Sequence, residues 1–152
     1  MTLFPEWQAF DIAQDLLDKT GKGYSENRFD LYERCFVLPH EFETFQETRR
    51  ISDVNELRKL FDNVRNFFSM HGITELHRRV VAAKYLSEDT IRATHESRLI
   101  GLGSQLHAPY PAMVTLKRFG FDWKIAKSAY AFANNPAQQQ AIGVGTIVKR
   151  QE

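Results

Sequence analysis

Two histidines and one arginine are the residues of this sequence whose chemistry would suit a catalytic or binding site. His40 alternates with Phe42 on the more apolar side of a period-two segment, so its ring is expected to point toward the core. His95 shares the face of another predicted strand with Ile91, Ser97 and other small or apolar residues. An imidazole has a reference pKa of about 6.5, so a modest shift would make either ring a usable acid or base near neutral pH.

Each histidine has a structural alternative that the sequence leaves open, an interior ring that bonds a backbone carbonyl or a carboxylate. Arg78 and Arg79 must point to opposite faces of a predicted strand, so one of them faces inward. An inward guanidinium would either pair with an interior carboxylate, with Glu41 or Glu43 as candidates, or bind an anionic group of a ligand. Arg78 is therefore the third candidate for a catalytic role.

Aromatic side chains are the candidates for the wall of a pocket. The chain contains 12 Phe, 5 Tyr and 2 Trp, and so many rings in a small domain are typical of a large core or of a lined cavity. Tyr110 stands between Pro109 and Pro111, which stiffen the segment and would place its hydroxyl at a rim. The ligand-binding candidates are Tyr32, Phe36, Phe42, Phe61, Phe68, Tyr110 and Tyr130.

The composition argues against several classes of protein. Twenty basic and nineteen acidic side chains leave a net charge of +1, which provides no electrostatic footprint for nucleic acid or an anionic membrane. The histidines are dispersed and Cys35 is the single cysteine, so neither a metal nor another cofactor is expected. The chain has a single cysteine, and its N-terminal segment is acidic and interrupted by Pro5. It also lacks an apolar run of ~20 residues, so a cytoplasmic protein is expected.

The first half of the chain reads as helices around one strand. Pro5 begins a first helix that Gly21 and Gly23 are expected to end, and a short second helix over 26–35 is expected to end at Pro39. A period-two segment over 38–51 predicts a single strand. Ser52 or Asp53 is expected to cap the next helix, with Glu56 completing a capping box three residues after Asp53. This helix is amphipathic and Phe-rich, runs to about His71 and closes at Gly72.

The second half reads as four strands over 74–85, 89–101, 112–119 and 122–132, with a longer loop over 103–111. Short turns between consecutive strands predict antiparallel pairing. The tail after Phe132 is polar and then apolar, which would suit a final strand or an arm that packs on a partner. A single domain over 1–152, with its core in 5–132, is expected.

The hairpin LKRFGFDWKIAKSAYAF at 116–132 resembles the closing hairpin of the nuclear transport factor 2-like superfamily, which includes SnoaL-like and ketosteroid isomerase-like proteins. Arg118, Gly120, Trp123, Lys124 and Ile125 carry this resemblance, with a spacing one residue longer than the familiar form. The segments HESR at 95–98 and PYP at 109–111 are similar to an uncharacterised bacterial branch.

The resemblance implies an α+β fold in which a curved, mostly antiparallel sheet wraps around N-terminal helices and forms a cone with an internal pocket. Catalytic relatives use a carboxylate base. No motif here matches that aspartate, so no catalytic role is carried over.

Three functions follow as hypotheses. The first is binding of a small apolar or aromatic ligand in the cone. The second is cofactor-free proton transfer, such as isomerisation, dehydration or cyclisation, with His40 or His95 as the base and a tyrosine or Arg78 stabilising the oxyanion. The third is a dimerisation or adaptor module. A homodimer is the expected assembly.

Overall fold

The computed structural model describes residues 5–43, 48–102, 104–105 and 109–130. In chain order, the elements are α1 (Glu6–Glu26), α2 (Phe29–Glu33), β1 (Phe36–Glu43), β2 (Thr48–Ile51), α3 (Val54–Met70), β3 (Glu75–Ser87), β4 (Thr90–Gly101), β5 (Ser104–Gln105), β6 (Tyr110–Phe119) and β7 (Asp122–Tyr130). None of the described helices is long and apolar enough to cross a membrane. The α+β class predicted from the sequence is confirmed.

One open sheet carries the fold, with the strand order β2-β1-β7-β6-β4-β3 and with β5 paired to β4. Every pairing is antiparallel except β1 with β7, which is parallel. The register shifts within β3, within β1 and between Thr115 and Leu116. Such bulges bend a strand and increase its twist, which suits a sheet that curves around helices. The mostly antiparallel sheet of the expected cone is therefore present.

Helix α1 does not end at Gly21 or Gly23 as expected but continues to Glu26 and is closed by Asn27 in the left-handed conformation (φ 56°). Gly23 is buried where α2 crosses α1, and a Cβ there would lie 3.0 Å from Cβ of Tyr32 and 3.1 Å from the carbonyl oxygen of Arg28. Because Gly23 has no side chain, α2 can pack closely against α1 at this position. The extra turn brings Tyr24 into the interior.

The segment from α2 to β2 also differs from the expectation. Helix α2 is only five residues long, and Pro39 lies exposed within β1 instead of ending a helix. The β1–β7 register shifts between Phe36 and Glu41, the interval that contains Pro39, because a proline has no N–H to donate to the neighbouring strand. The predicted strand over 38–51 is two paired strands, with His40 opposite Ile51; residues 44–47 lie outside the described part.

Helix α3 matches its sequence signals. The carboxylate of Asp53 accepts a hydrogen bond from the N–H of Glu56 at 2.9 Å, and the Glu56 carboxylate accepts one from the N–H of Ser52 at 2.6 Å. The helix ends at Met70, followed by His71 and by Gly72 at φ +66°. Four residues of its buried stripe pack with α1, α2, β1 and β2, whereas Phe67 packs with Ile73 and Leu99. The four are Leu57, Leu60, Phe61 and Val64.

Three apolar clusters occupy the concave side of the sheet, and the smallest consists of Phe67, Ile73 and Leu99. In the first, α1 packs against β3, β4, β6 and β7, and in the second, α2 and α3 pack against β1 and β2. Buried polar residues are found as well, and they include His40, His95, Ser97 and Ser128. Buried polar groups are costly unless they are partnered, so these residues mark the part of the interior where chemistry is expected.

Candidate functional site

Both histidines face the interior, as the strand alternation predicts. His40 in β1 is 2 % exposed and His95 in β4 is 1 % exposed. The face of His95 is the predicted one, because Ile91, Ala93, Ser97 and Leu99 are all buried on it. The two rings line the same cavity, which we call the inner cavity.

The hydrogen bonding of the two rings differs. Nε2 of His40 lies 3.3 Å from Oγ of Ser128, whereas neither Nδ1 nor Nε2 of His95 has a hydrogen-bond partner among the described residues. Nδ1 of His40 also lacks one there. Within the described part of the chain, His95 therefore has no backbone carbonyl or carboxylate partner of the kind expected of a core histidine.

Burial keeps both imidazoles neutral. It lowers the pKa of His40 to about 4, and a backbone interaction with Ile125 opposes this shift only in part. Burial also lowers the pKa of His95 to about 3, and the positive charge of Arg78 lowers it further. A neutral imidazole offers one N–H donor and one acceptor nitrogen. His95 therefore brings both functions, without a described partner, to the wall of the inner cavity.

Arg78 is the inward arginine, and Arg79 is exposed. Nη2 of Arg78 donates to the carbonyl oxygen of Leu17 at 2.7 Å and to Oγ1 of Thr20 at 2.6 Å. The expected pairing with Glu41 or Glu43 is wrong: within the described residues, no carboxylate forms an ion pair with Arg78, and Glu43 lies 3.8 Å from Lys127 instead.

Helix α1 holds the strand that carries Arg78. Nε2 of Gln14 donates to the carbonyl oxygen of Arg78 at 2.9 Å, and Oε1 of Gln14 accepts from the N–H of Val80 at 2.9 Å. One amide side chain thus bonds β3 on both sides of residue 79. Together with the Leu17 and Thr20 contacts, it fixes the guanidinium against α1 and over the cavities.

The inner cavity has a volume of about 30 Å³. Its polar wall consists of Thr20, His40, Arg78, His95 and Ser128, together with Tyr24 and Tyr32. The hydroxyl of Tyr24 lies 2.9 Å from that of Tyr32, and burial raises the pKa of both phenols, so both stay protonated. Arg78 is therefore the one group among the described lining residues of this cavity that carries a charge at neutral pH.

A second cavity, which we call the outer cavity, has a volume of about 40 Å³. Its apolar wall comes from α3, β3, β4 and the ends of β6 and β7: Val64, Phe67, Phe68, Leu76, Leu99, Tyr110 and Tyr130. Three residues line both cavities, namely Tyr24, Arg78 and Tyr130. The guanidinium therefore lies at the boundary between the two cavities.

The predicted aromatic wall is distributed over these two cavities. Tyr32, Phe36 and Phe42 line the inner one, Phe68 and Tyr110 line the outer one, and Tyr130 lines both. Phe61 is fully buried and packs among Tyr24, Phe29 and Tyr32, so it supports the wall from behind. Tyr110 is the first residue of β6, opposite Ser97, although the sequence places it in a loop.

Sequence reasoning missed three polar members of the site, Thr20, Tyr24 and Ser128. Thr20 and Tyr24 lie one helical turn apart on the buried face of α1, and a helix that is expected to end at Gly21 hides that spacing. Ser128 lies two residues before Tyr130 in β7 and shares its face, so alternation could have found it.

A surface groove also escaped the sequence analysis. It has a volume of about 610 Å³ and lies between the start of α1 and the middle of β3 and β4, where Trp7, Phe10 and Val81 line it. Trp7 is 68 % exposed there.

No group of three or more His, Cys, Asp or Glu side chains within the described ranges could hold a metal ion.

Solved structures with the same fold are numerous, although no family model and no curated protein matches the chain. An NTF-2 like protein of unknown function from Shewanella oneidensis MR-1 is 12 % identical, with a TM-score of 0.58 over 80 % of this chain and 97 % of that one. A protein of unknown function with a cystatin-like fold from Nostoc punctiforme is 11 % identical, with a TM-score of 0.61 over 82 % and 92 %.

An NTF2-like protein with a cystatin-like fold from Novosphingobium aromaticivorans is 13 % identical, with a TM-score of 0.59 over 90 % of each chain. Identities this low show a shared fold and nothing about shared chemistry. The architecture predicted from the hairpin at 116–132 is thereby confirmed. The protein has the nuclear transport factor 2-like, cystatin-like fold.

Proposed function

We propose that the protein binds a small, largely apolar molecule in the interior of its cone. The observation that carries this proposal is His95, a fully buried ring whose two nitrogens lack partners in the described structure while it lines a cavity. An unpartnered buried polar group costs about 1–3 kcal/mol. A chain that retains this cost at the wall of a cavity is best explained by a ligand that completes the hydrogen bonding.

The aromatic and aliphatic wall of the outer cavity supports the apolar part of the proposal. Phe68, Leu99 and Tyr110 surround a space into which Arg78 brings the charged group. Ligand sites are typically apolar with a few convergent polar groups, and the two cavities together have this composition. Their small volumes favour a compact ligand of a few non-hydrogen atoms.

A variant that fills the outer cavity tests this proposal. Val64→Phe adds a ring at a buried position on the wall, so we expect it to abolish saturation-transfer NMR signals from uncharged three- to five-carbon probes such as 1-butanol. Val54→Phe is the matched control, because Val54 lies 40 % exposed on the same helix. Equal signals from both variants would show that the probe binds outside the outer cavity, and the surface groove lined by Trp7 would then be the next candidate site.

Cofactor-free proton transfer by a histidine is the second candidate. The neutral ring of His95 beside a cationic Arg78 favours it, because a base and an oxyanion-stabilising group would then be adjacent. A base is most effective when its pKa is near the working pH, and values of about 4 and about 3 are far below neutrality. Ligand binding is therefore the function that the geometry supports best.

A homodimer through the outer face of the sheet is a further proposal. The uncharged residues Thr94, Met113 and Ala129 lie in register across β4, β6 and β7, and Met113 is 39 % exposed. Sedimentation equilibrium should give twice the chain mass for the native protein and the single chain mass for Met113→Glu. A native protein that sediments as one chain at micromolar concentration would refute the dimer.

A further inference from the structure

The guanidinium of Arg78 has N–H donors that are not used in the hydrogen bonds of the described structure. Its Nη2 is engaged by Leu17 and Thr20, while Nε and Nη1 have no hydrogen-bond partner among the described residues. An arginine carries five N–H donors, so three of them remain available. No described carboxylate neutralises the charge, and the imidazoles and phenols around it are uncharged. A half-buried cation in this position favours an anionic partner.

Arg78 lines both cavities, and each of them has a largely apolar lining. On one side is the inner cavity with His40, His95 and Ser128, and on the other is the outer cavity with Phe68 and other apolar side chains. Because His40, His95 and Ser128 lie in the inner cavity, a ligand that fills both cavities would place a hydrogen-bonding anionic head there and an apolar body in the outer cavity. A carboxylate suits the head, because one oxygen can accept from Arg78 while the other accepts the N–H of a neutral imidazole.

The volumes set the size of such a ligand. One water-sized group needs about 10–15 Å³ of this kind of space. The inner cavity of about 30 Å³ and the outer cavity of about 40 Å³ therefore hold roughly five or six non-hydrogen atoms between them. Long-chain or polycyclic acids exceed this space, whereas a carboxylate with a short alkyl chain fills it.

We propose that the ligand is a short-chain monocarboxylate whose head is held by Arg78 and His95 and whose alkyl chain lies against Phe68 and Leu99. This inference rests on the proposed function, since it requires the interior to bind a ligand. It goes beyond that function in naming the charge, the head group and the size of the molecule. It also identifies Arg78 as the residue that selects the acid over an uncharged analogue.

The test compares butyrate with butyramide, an uncharged molecule of nearly the same shape. Titration calorimetry or saturation-transfer NMR at pH 7.5 should show that the native protein binds butyrate at least about tenfold more tightly than butyramide, because a hydrogen bond between a guanidinium and a carboxylate is stronger than one to an uncharged amide. Arg78→Gln should remove this preference, and Arg78→Lys should restore part of it. Arg79→Gln is the matched control, because Arg79 is the exposed neighbour on the opposite face.

The outcomes separate this inference from the function on which it rests. If both compounds bind equally and Arg78→Gln changes neither affinity, the carboxylate assignment is wrong while an interior ligand remains supported. If butyrate binds but Arg79→Gln abolishes its binding, the anion lies on the surface and the inference is wrong. Because Arg78 also bonds Leu17 and Thr20, the fold of each variant is checked by its amide NMR spectrum. Retained preference in the folded Arg78→Lys protein then supports a charge effect.

Discussion

Lowering the pH from 7.5 to 4.5 is expected to reduce the free energy of unfolding by about 5 kcal/mol. The cause is the pair of buried histidines, whose pKa values fall from 6.5 to about 4 for His40 and to about 3 for His95 on folding. At pH 4.5 the unfolded chain binds a proton at each site and the folded chain does not. Each histidine then favours unfolding by about 2.5 kcal/mol.

The direction follows from the depressed pKa values. Stability from these groups is complete above pH 6.5 and is lost as the pH falls toward about 4 for His40 and about 3 for His95, in contrast to a histidine stabilised by an acidic partner. Domains of this size are commonly stable by about 5–15 kcal/mol, so the loss is large enough to unfold a marginal one.

Urea unfolding at half-unit pH steps measures this effect, and single His40→Gln and His95→Gln variants should each lose about half of the slope. The exposed carboxylates Asp30 and Asp89 have lowered pKa values, so they act below this pH range. A native profile that stays flat from pH 6.5 to 5 would mean that neither ring is held neutral.

Replacing His95 by leucine is expected to stabilise the protein at pH 7.5, by about 1–3 kcal/mol. Leucine has a similar volume, and the change removes two buried nitrogens that lack partners in the described structure. The same variant should lose any ligand that bonds the imidazole. A gain in stability with a loss of binding is the pattern expected of a residue kept for function.

His40→Leu is the comparison that shows whether the partner matters. Nε2 of His40 lies 3.3 Å from the buried hydroxyl of Ser128, so removing the ring would leave that hydroxyl unpartnered. We expect a loss of stability, which the double variant His40→Leu/Ser128→Ala should recover in part. If His95→Leu destabilises as strongly as His40→Leu, the His95 nitrogens have structural partners and the ligand proposal loses its main support. Thermal or urea unfolding provides all of these values.

Strand alternation was sufficient to orient both histidines and to leave one of two adjacent arginines facing inward. Each of these strands buries one face, and a shift of one residue would turn every side chain to the wrong side. The capping box at Asp53 and Glu56 was equally readable, because its contacts span only a few residues. Local patterns thus defined most of the elements, and the hairpin at 116–132 pointed to the fold.

The sequence pattern did not predict contacts between residues that are far apart in the chain. Arg78 bonds Leu17 and Thr20, which lie about sixty positions earlier, and nothing in the sequence selects them over Glu41 or Glu43. The continuation of α1 through Gly23 depends on its close approach to Tyr32. Because that extra turn brings Tyr24 inward, the size of the cavities depends on tertiary packing and could not be derived from composition.

His95 lines the inner cavity together with Arg78, and we infer that its ring is neutral and has no hydrogen-bond partner other than a ligand among the described residues. Nitrogen-15 NMR of the histidine side chains, recorded from pH 7.5 to 5 with and without butyrate, tests it most directly. We expect His95 to remain neutral over the whole range and its ring nitrogens to shift saturably as butyrate is added. A His95 ring that titrates near pH 6.5, or that is unaffected by butyrate at saturating concentration, would contradict the claim.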